Sequence, residues 1–174
     1  VMNTDNMTIS GETIDYGPCA FIDGYDPASV FSSIDRHGRY AYGNQPKIAQ
    51  WNLARLAETL LDLINPDDSD DAVRQAGEVV NGFPLAYERA WLSGMRAKLG
   101  LVDEEAGDMD LATGLLAVLE TQNADYTRVF RSLSVAASGD TTATRSLFAN
   151  PAGFDVWLPL WQARLQRETV AAEA

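Results

Sequence analysis

The sequence predicts a mainly α-helical chain entered through a short amino-terminal β-hairpin. Three observations lead there. From Pro46 onward, apolar residues recur at three- and four-residue intervals through several segments of helical length. Residues that start and stop helices bracket those segments. Within the first eighteen residues, VMNTDNMTISGETIDYGP, two short Thr/Ile-rich runs, MTIS and TIDY, flank the turn-like pair Gly11-Glu12.

Taken in order, the hairpin is followed by CAFIDGYDPASVFSSIDRHGRYAYGNQP, where Gly, Pro, Ser, Asp and Asn recur and no helical period holds. This is predicted to be a long ordered loop, pinned to the core by Phe21, Ile22, Phe31 and Ile34. Pro46 opens the helix PKIAQWNLARLAETLLDLI, because proline suits the first helical position. Its expected apolar face is Trp51, Leu53, Leu56, Leu60, Leu61 and Ile64, and Asn65-Pro66 ends it. DDSDD reads as a solvated loop and helix start, where carboxylates favour the positive end of the helix dipole. A long helical region over 71–99 follows, with Val73, Ala76, Val80, Tyr87, Trp91 and Met95 as its stripe. Gly82 and Pro84 are expected to break or kink it. VDEEAGD is a loop. Helices at 109–120 and 124–136 come next; in the second, Tyr126, Phe130 and Leu133 share one face, and Arg128 and Arg131 form ion pairs on another. SGDTTAT is a turn and helix start. The last helix turns Phe154, Trp157, Leu158, Trp161 and Leu165 inward, with a kink at Pro159. Trp51, Trp91, Trp157 and Trp161 should all be largely buried. The organisation is one domain, with residues 1–45 as hairpin and loop and 46–174 as the helical region.

The 174 residues suffice for one domain with a real core. Thirteen Lys and Arg against 25 Asp and Glu give a net charge of −12, which argues against nonspecific binding to nucleic acid or anionic membranes. A single cysteine, Cys19, rules out an internal disulfide and fits a reducing compartment. No apolar run is long enough to span a bilayer, and no secretory signal opens the chain.

The hairpin would bring its two flanking loops together. One carries Asn3, Asp5 and Asn6; the other carries Asp15, followed by Tyr16-Gly17-Pro18. Carboxylate and amide oxygens are what Mg²⁺ takes, with waters and substrate phosphates completing its shell. Mg²⁺, or Mn²⁺ in its place, is therefore expected between Asn6 and Asp15. The same Asn, Asp and Gly residues also suit ordinary surface turns, where Asx side chains bond their own backbone. Arg36 and Arg39 could meet phosphate, or pair with Asp23, Asp26 or Asp35. His37, the only histidine, reads as a turn residue, and zinc would need several His or Cys.

Asp15-Tyr16-Gly17 resembles the Asp-Phe-Gly triplet of protein kinases, whose Asp holds Mg²⁺. The strings VMNTDNM, TIDYGP, GRYAYGNQP and WNLARLAETL, with YTRVFRSLS downstream, closely resemble the selenoprotein O family of kinase-like proteins. The resemblance runs from Val1 to about Arg167. It implies a helical domain like a kinase carboxy-terminal lobe, in which residues 19–45 take the place of the activation segment. It implies transfer of AMP from ATP to Ser, Thr or Tyr hydroxyls of proteins. It implies Asp5 as proton acceptor, Asn6 and Asp15 as Mg²⁺ ligands, and a cytoplasmic location, or a mitochondrial one in a eukaryote. The pattern departs from kinases in one respect: their catalytic Asp and Asn stand five apart, whereas Asp5 and Asn6 are adjacent. Neither a glycine-rich phosphate loop nor a lysine strand occurs in the 174 residues. The nucleotide-clamping amino-terminal lobe and a carboxy-terminal segment are therefore expected elsewhere in a longer protein, and this part alone is expected to be inactive. Kinase-type phosphoryl transfer and a non-catalytic scaffold remain the alternatives.

Overall fold

The computed structural model describes residues 1–12 and 21–168. It is mainly helical, as the periodicity predicts. The helices are α1 (Gln45–Thr59), α2 (Leu61–Ile64), α3 (Ser69–Leu99), α4 (Asp108–Gln122), α5 (Tyr126–Ala137), α6 (Thr142–Arg145) and α7 (Ala152–Leu165). The chain divides into two compact units. One comprises Val1–Phe21 and Pro27–Arg89, the other Ile22–Asp26 and Ala90–Ala174, so α3 contributes to both.

The expected hairpin is not found among the described residues. TIDY lies outside them, and MTIS is not a paired strand. Instead the Gly11 amide donates to the Thr8 carbonyl at 3.2 Å, and the Thr8 hydroxyl donates to the Glu12 carbonyl at 2.9 Å. Hydroxyls that bond the nearby backbone in this way compete with a strand ladder. Gly11, at φ +73°, supplies the left-handed residue of this turn.

In the first unit, α1 starts at Gln45 with Pro46 in its first turn, as expected. Its buried residues are Ile48, Ala49 and Asn52 rather than the predicted stripe. Trp51 is 44% exposed, and Leu56 and Leu60 are also exposed. The helix breaks at Leu60 and resumes as the single turn α2, which Asn65 ends in an extended conformation. Leu53, Leu56, Leu60, Val79 and Phe83 instead line an apolar groove. The loop pins are likewise only partly right: Phe21 and Ile34 are 91% and 87% exposed.

Asp68 caps α3, accepting from the amides of Asp70 and Asp71 at 3.1 and 3.0 Å. Hydrogen bonds from Asn65, Arg74 and Gln75 hold the Asp71 carboxyl down at about 2. The expected break does not occur: α3 runs on through Gly82 and Pro84. Proline removes the amide that would bond the carbonyl four residues back. That carbonyl, on Val80, accepts from the Gln50 side-chain amide at 3.2 Å instead. The stripe is partly as predicted, with Ala76 and Met95 buried and Val73 and Tyr87 exposed.

The second unit holds the larger core. Leu111, Leu115 and Leu119 of α4, Val129 and Leu133 of α5, and Phe154, Trp157 and Trp161 of α7 pack with Met95 and Leu99 of α3. Trp157 and Trp161 stack with centroids 5.5 Å apart. Their indole N–H groups donate at 2.8 Å to the carbonyls of Leu111 and Leu99, so neither is a buried unsatisfied donor. The predicted inward face of α7 is therefore found, with Phe154, Trp157 and Trp161 buried, and the helix continues through Pro159 without a break. Asp125 caps α5, accepting from the Arg128 amide at 2.8 Å. Among the described residues the only β pairing is an isolated bridge, Gly24 to Asp125. Arg128 and Arg131 make no ion pair among the described residues, against expectation.

A buried ionic cluster crosslinks this unit. Asp108, fully buried, accepts from Arg96 Nε at 2.7 Å, Arg164 Nε at 2.8 Å and the Glu105 amide at 2.9 Å. Arg164 also donates to Glu168 and to the Asp103 carbonyl. Burial pushes the Asp108 carboxyl up. The hydrogen bonds from Arg164, Glu105 and Arg96 outweigh this and hold it below the usual carboxylate range.

Candidate active site

The opening residues form a short loop with one 3₁₀ turn, Thr4–Asn6. Asp5 sits on that turn, exposed, and makes no hydrogen bond to a described residue. Asn6 is half-buried. Its Nδ2 donates to the Val1 carbonyl at 3.0 Å and its backbone amide to the Asn3 carbonyl at the same distance. Asn6 Oδ1 makes no hydrogen bond to a described residue. Asp15 lies outside the described residues, so its expected meeting with Asn6 is a matter for proposal.

Three residues from elsewhere in the unit hold this loop in place, and the sequence reading missed all of them. Tyr40 O–H donates to Asn3 Oδ1 at 3.0 Å. Gln45 Oε1 accepts from the Met2 amide at 2.7 Å, and Gln45 Nε2 donates to the Tyr40 carbonyl. Asn52, buried on α1, donates through Nδ2 to the Met2 carbonyl at 2.9 Å and touches Met7 Sδ. The strings GRYAYGNQP and WNLARLAETL thus supply the supports of VMNTDNM. One signal was available: an asparagine at position 52, between Trp51 and Leu53, on a helix otherwise read by its apolar residues.

Arg36 and Arg39 do not pair with Asp23, Asp26 or Asp35. Asp35 is spent on the backbone, its two oxygens each accepting at 2.8 Å from the amides of Arg39 and Tyr40. The Arg39 guanidinium lies instead over the rings of Trp51 and Tyr40, 4.9 and 5.6 Å from their centroids. His37 is exposed in a turn, as read from the sequence.

The donors present fit Mg²⁺ in type. They are amide and carboxylate oxygens on one loop, open to complete a shell with waters and phosphates. Among the described residues no group of three or more His, Cys, Asp or Glu side chains could hold a metal ion. No described helix is long and apolar enough to cross a membrane.

If the Asn52 amide positions the loop, Asn52→Ala should act at a distance from the chemistry. The expected result is faster amide hydrogen exchange at residues 1–7 and a fall of about tenfold in turnover of the whole protein, since small misplacements of reacting groups are costly.

Comparison with known proteins places the chain in a family. The family described as Protein adenylyltransferase SelO matches residues 1–173. The chain is 58% identical over 170 residues to the Protein nucleotidyltransferase YdiU of Rhizobium rhizogenes strain K84, covering 97% of this chain and 34% of that protein. It is 56% identical over 174 residues to the protein of the same name from Alkaliphilus metalliredigens strain QYMF, covering 100% of this chain and 34% of that one. A third, from Cereibacter sphaeroides strain KD131, is 57% identical over 165 residues, covering 95% of this chain and 34% of that protein. The chain spans about a third of the length of the curated relatives it matches. With the family match covering nearly every residue and identities above one half, the chain belongs to the SelO family.

Proposed function

We propose that this chain is the catalytic-loop part of a protein adenylyltransferase, which moves AMP from ATP to Ser, Thr or Tyr hydroxyls of other proteins. The observation that carries the reading is the loop Val1–Met7. It is a polar, exposed turn bearing Asp5 and Asn6, anchored from three sides by Tyr40, Gln45 and Asn52. A surface turn of no consequence would not need such anchoring. The family description and the printed names of the relatives support nucleotidyl transfer to protein.

In this reading Asp5 accepts the proton of the attacking hydroxyl. The hydroxyl oxygen bonds to the α-phosphorus of ATP, the α–β phosphoanhydride bond breaks, and pyrophosphate leaves. Asn6 Oδ1 and the Asp15 carboxylate would hold Mg²⁺, or Mn²⁺. When bound, that ion supplies charge to offset the phosphates. The exposure of Asp5 leaves it accessible to a protein substrate, and the anchored loop keeps it in place, so catalysis is chiefly positional and electrostatic. Residues 1–45 serve as catalytic loop and activation-like segment, and 46–174 as the helical support, resembling a kinase carboxy-terminal lobe. This chain spans about a third of the length of its relatives, and in this reading it needs the remainder of the protein for activity. The reading places the protein in the cytoplasm, acting on ATP and proteins, not on nucleic acid.

Asp15→Asn in the whole protein tests this. The expected result is loss of most transfer, with the residual activity needing far more Mg²⁺. Full activity at unchanged Mg²⁺ would contradict the ligand role, and unchanged partner binding as the sole function would point to a scaffold.

A further inference from the structure

Against the net charge of −12, one region of the first unit is cationic. A cleft of about 740 Å³ is lined by Arg36, His37, Arg39 and Lys47 together with Asn3 and Tyr40. Three permanent cations face it against one carboxylate, Asp35, whose oxygens are taken by the amides of Arg39 and Tyr40. Among the described residues no carboxylate lies within ion-pairing distance of Arg36, Arg39 or Lys47. In a chain with 25 acidic side chains, that absence of counter-charge is a specific feature. The first turn of α1 contributes Lys47, and its N-terminus has no side-chain cap, which adds positive potential.

The cleft is also part of the candidate active site's frame. Val1 and Asn3 line it, and Tyr40 O–H bonds Asn3 Oδ1, two residues before Asp5. The Arg39 guanidinium lies over Trp51 and Tyr40 and makes no ion pair among the described residues, and its planar fork suits a bidentate anion. Small-molecule sites enclose most of their ligand. Here Arg36, His37, Arg39 and Lys47 are all exposed along an open rim, which suits a side chain on a polypeptide better than a buried nucleotide.

We propose that this cleft docks acidic residues flanking the acceptor hydroxyl of the protein substrate, and so selects hydroxyls in acidic sequence. The proposal rests on the adenylyl-transfer reading for its consequence, but not for the binding itself.

The test uses the full-length protein and two peptides with the same acceptor serine, one flanked by Glu, the other by Gln. Wild-type protein should prefer the Glu peptide by about tenfold in kcat/KM, chiefly through KM, and the preference should shrink with added salt. Arg36→Gln with Lys47→Gln, both exposed and outside the catalytic loop, should abolish the preference. The KM for ATP should stay unchanged, since neither side chain is assigned to the nucleotide. Equal use of both peptides by the wild type, or a preference kept by the double variant, would overturn the proposal. So would a raised KM for ATP, which would make this a nucleotide site. If neither peptide accepts AMP, the functional reading fails separately. Binding of a fluorescent Glu-rich peptide then decides: binding that the double variant loses upholds the cleft, and no binding by the wild type overturns it.

Discussion

Asp5→Asn in the full-length protein should lower kcat for AMP transfer by about 10²–10⁴, the range that a positioned general base contributes. The substitution removes a carboxylate without disturbing its surroundings, because Asp5 is exposed and has no hydrogen-bond partner among the described residues. Stability should therefore change by no more than ~0.5 kcal/mol, as for other surface sites. The KM for ATP should move little, since Asp5 is assigned to the hydroxyl and not to the phosphates. Steady-state kinetics beside a thermal melt separates these quantities. A variant with wild-type kcat would remove Asp5 from the chemistry. One with unchanged kcat but a steeply raised Mg²⁺ requirement would make it a metal ligand.

The largest stability effect is expected at Asp108. Asp108→Asn removes the charge between Arg96 and Arg164, both of which reach it through Nε. Removing one partner of a buried ion pair leaves the other charge uncompensated, typically at a cost of about 3–5 kcal/mol. Glu104, the exposed partner of Arg96 at 3.0 Å, provides the contrast. Glu104→Gln should cost less than ~1 kcal/mol, as solvent screens such pairs. Urea unfolding followed through Trp157 and Trp161 reads both variants. The pH dependence follows in sign. Asp108 has a lowered pKa when folded, so its stabilisation is present above the unfolded carboxylate value and is lost as pH falls through the folded one. The wild type should thus weaken in acid over the range below about pH 4, and Asp108→Asn should be flatter there. Equal acid sensitivity of the two would place the responsible carboxyl elsewhere, for instance at Glu168.

How much of this was legible in the sequence depended on the kind of information needed. The helices of the second unit could be read because large aromatics and leucines at helical spacing, such as Phe154, Trp157 and Trp161, were also the residues that became buried. In the first unit the helices were legible but their faces were not. α1 has more apolar residues than it buries, and Trp51 serves as a platform for Arg39 and Arg55 instead of entering a core. Pro84 misled because the acceptor it frees is satisfied by Gln50, thirty residues before Val80, and no local pattern announces such a partner. The same holds for the loop with Asp5 and Asn6. Resemblance pointed to it, but its supports at Tyr40, Gln45 and Asn52 lie 37 to 50 residues away and reach it by single hydrogen bonds. Hydrophobic periodicity records burial along one element; it carries no trace of polar bonds between distant ones.

The measurement that bears most directly on the account is the intact mass of a protein substrate after incubation with the full-length protein, ATP and Mg²⁺. The account predicts a mass increase equal to one adenylyl group per modified hydroxyl, pyrophosphate in solution, and no increase with Asp5→Asn. An increase equal to a phosphoryl group, with ADP released, would contradict it.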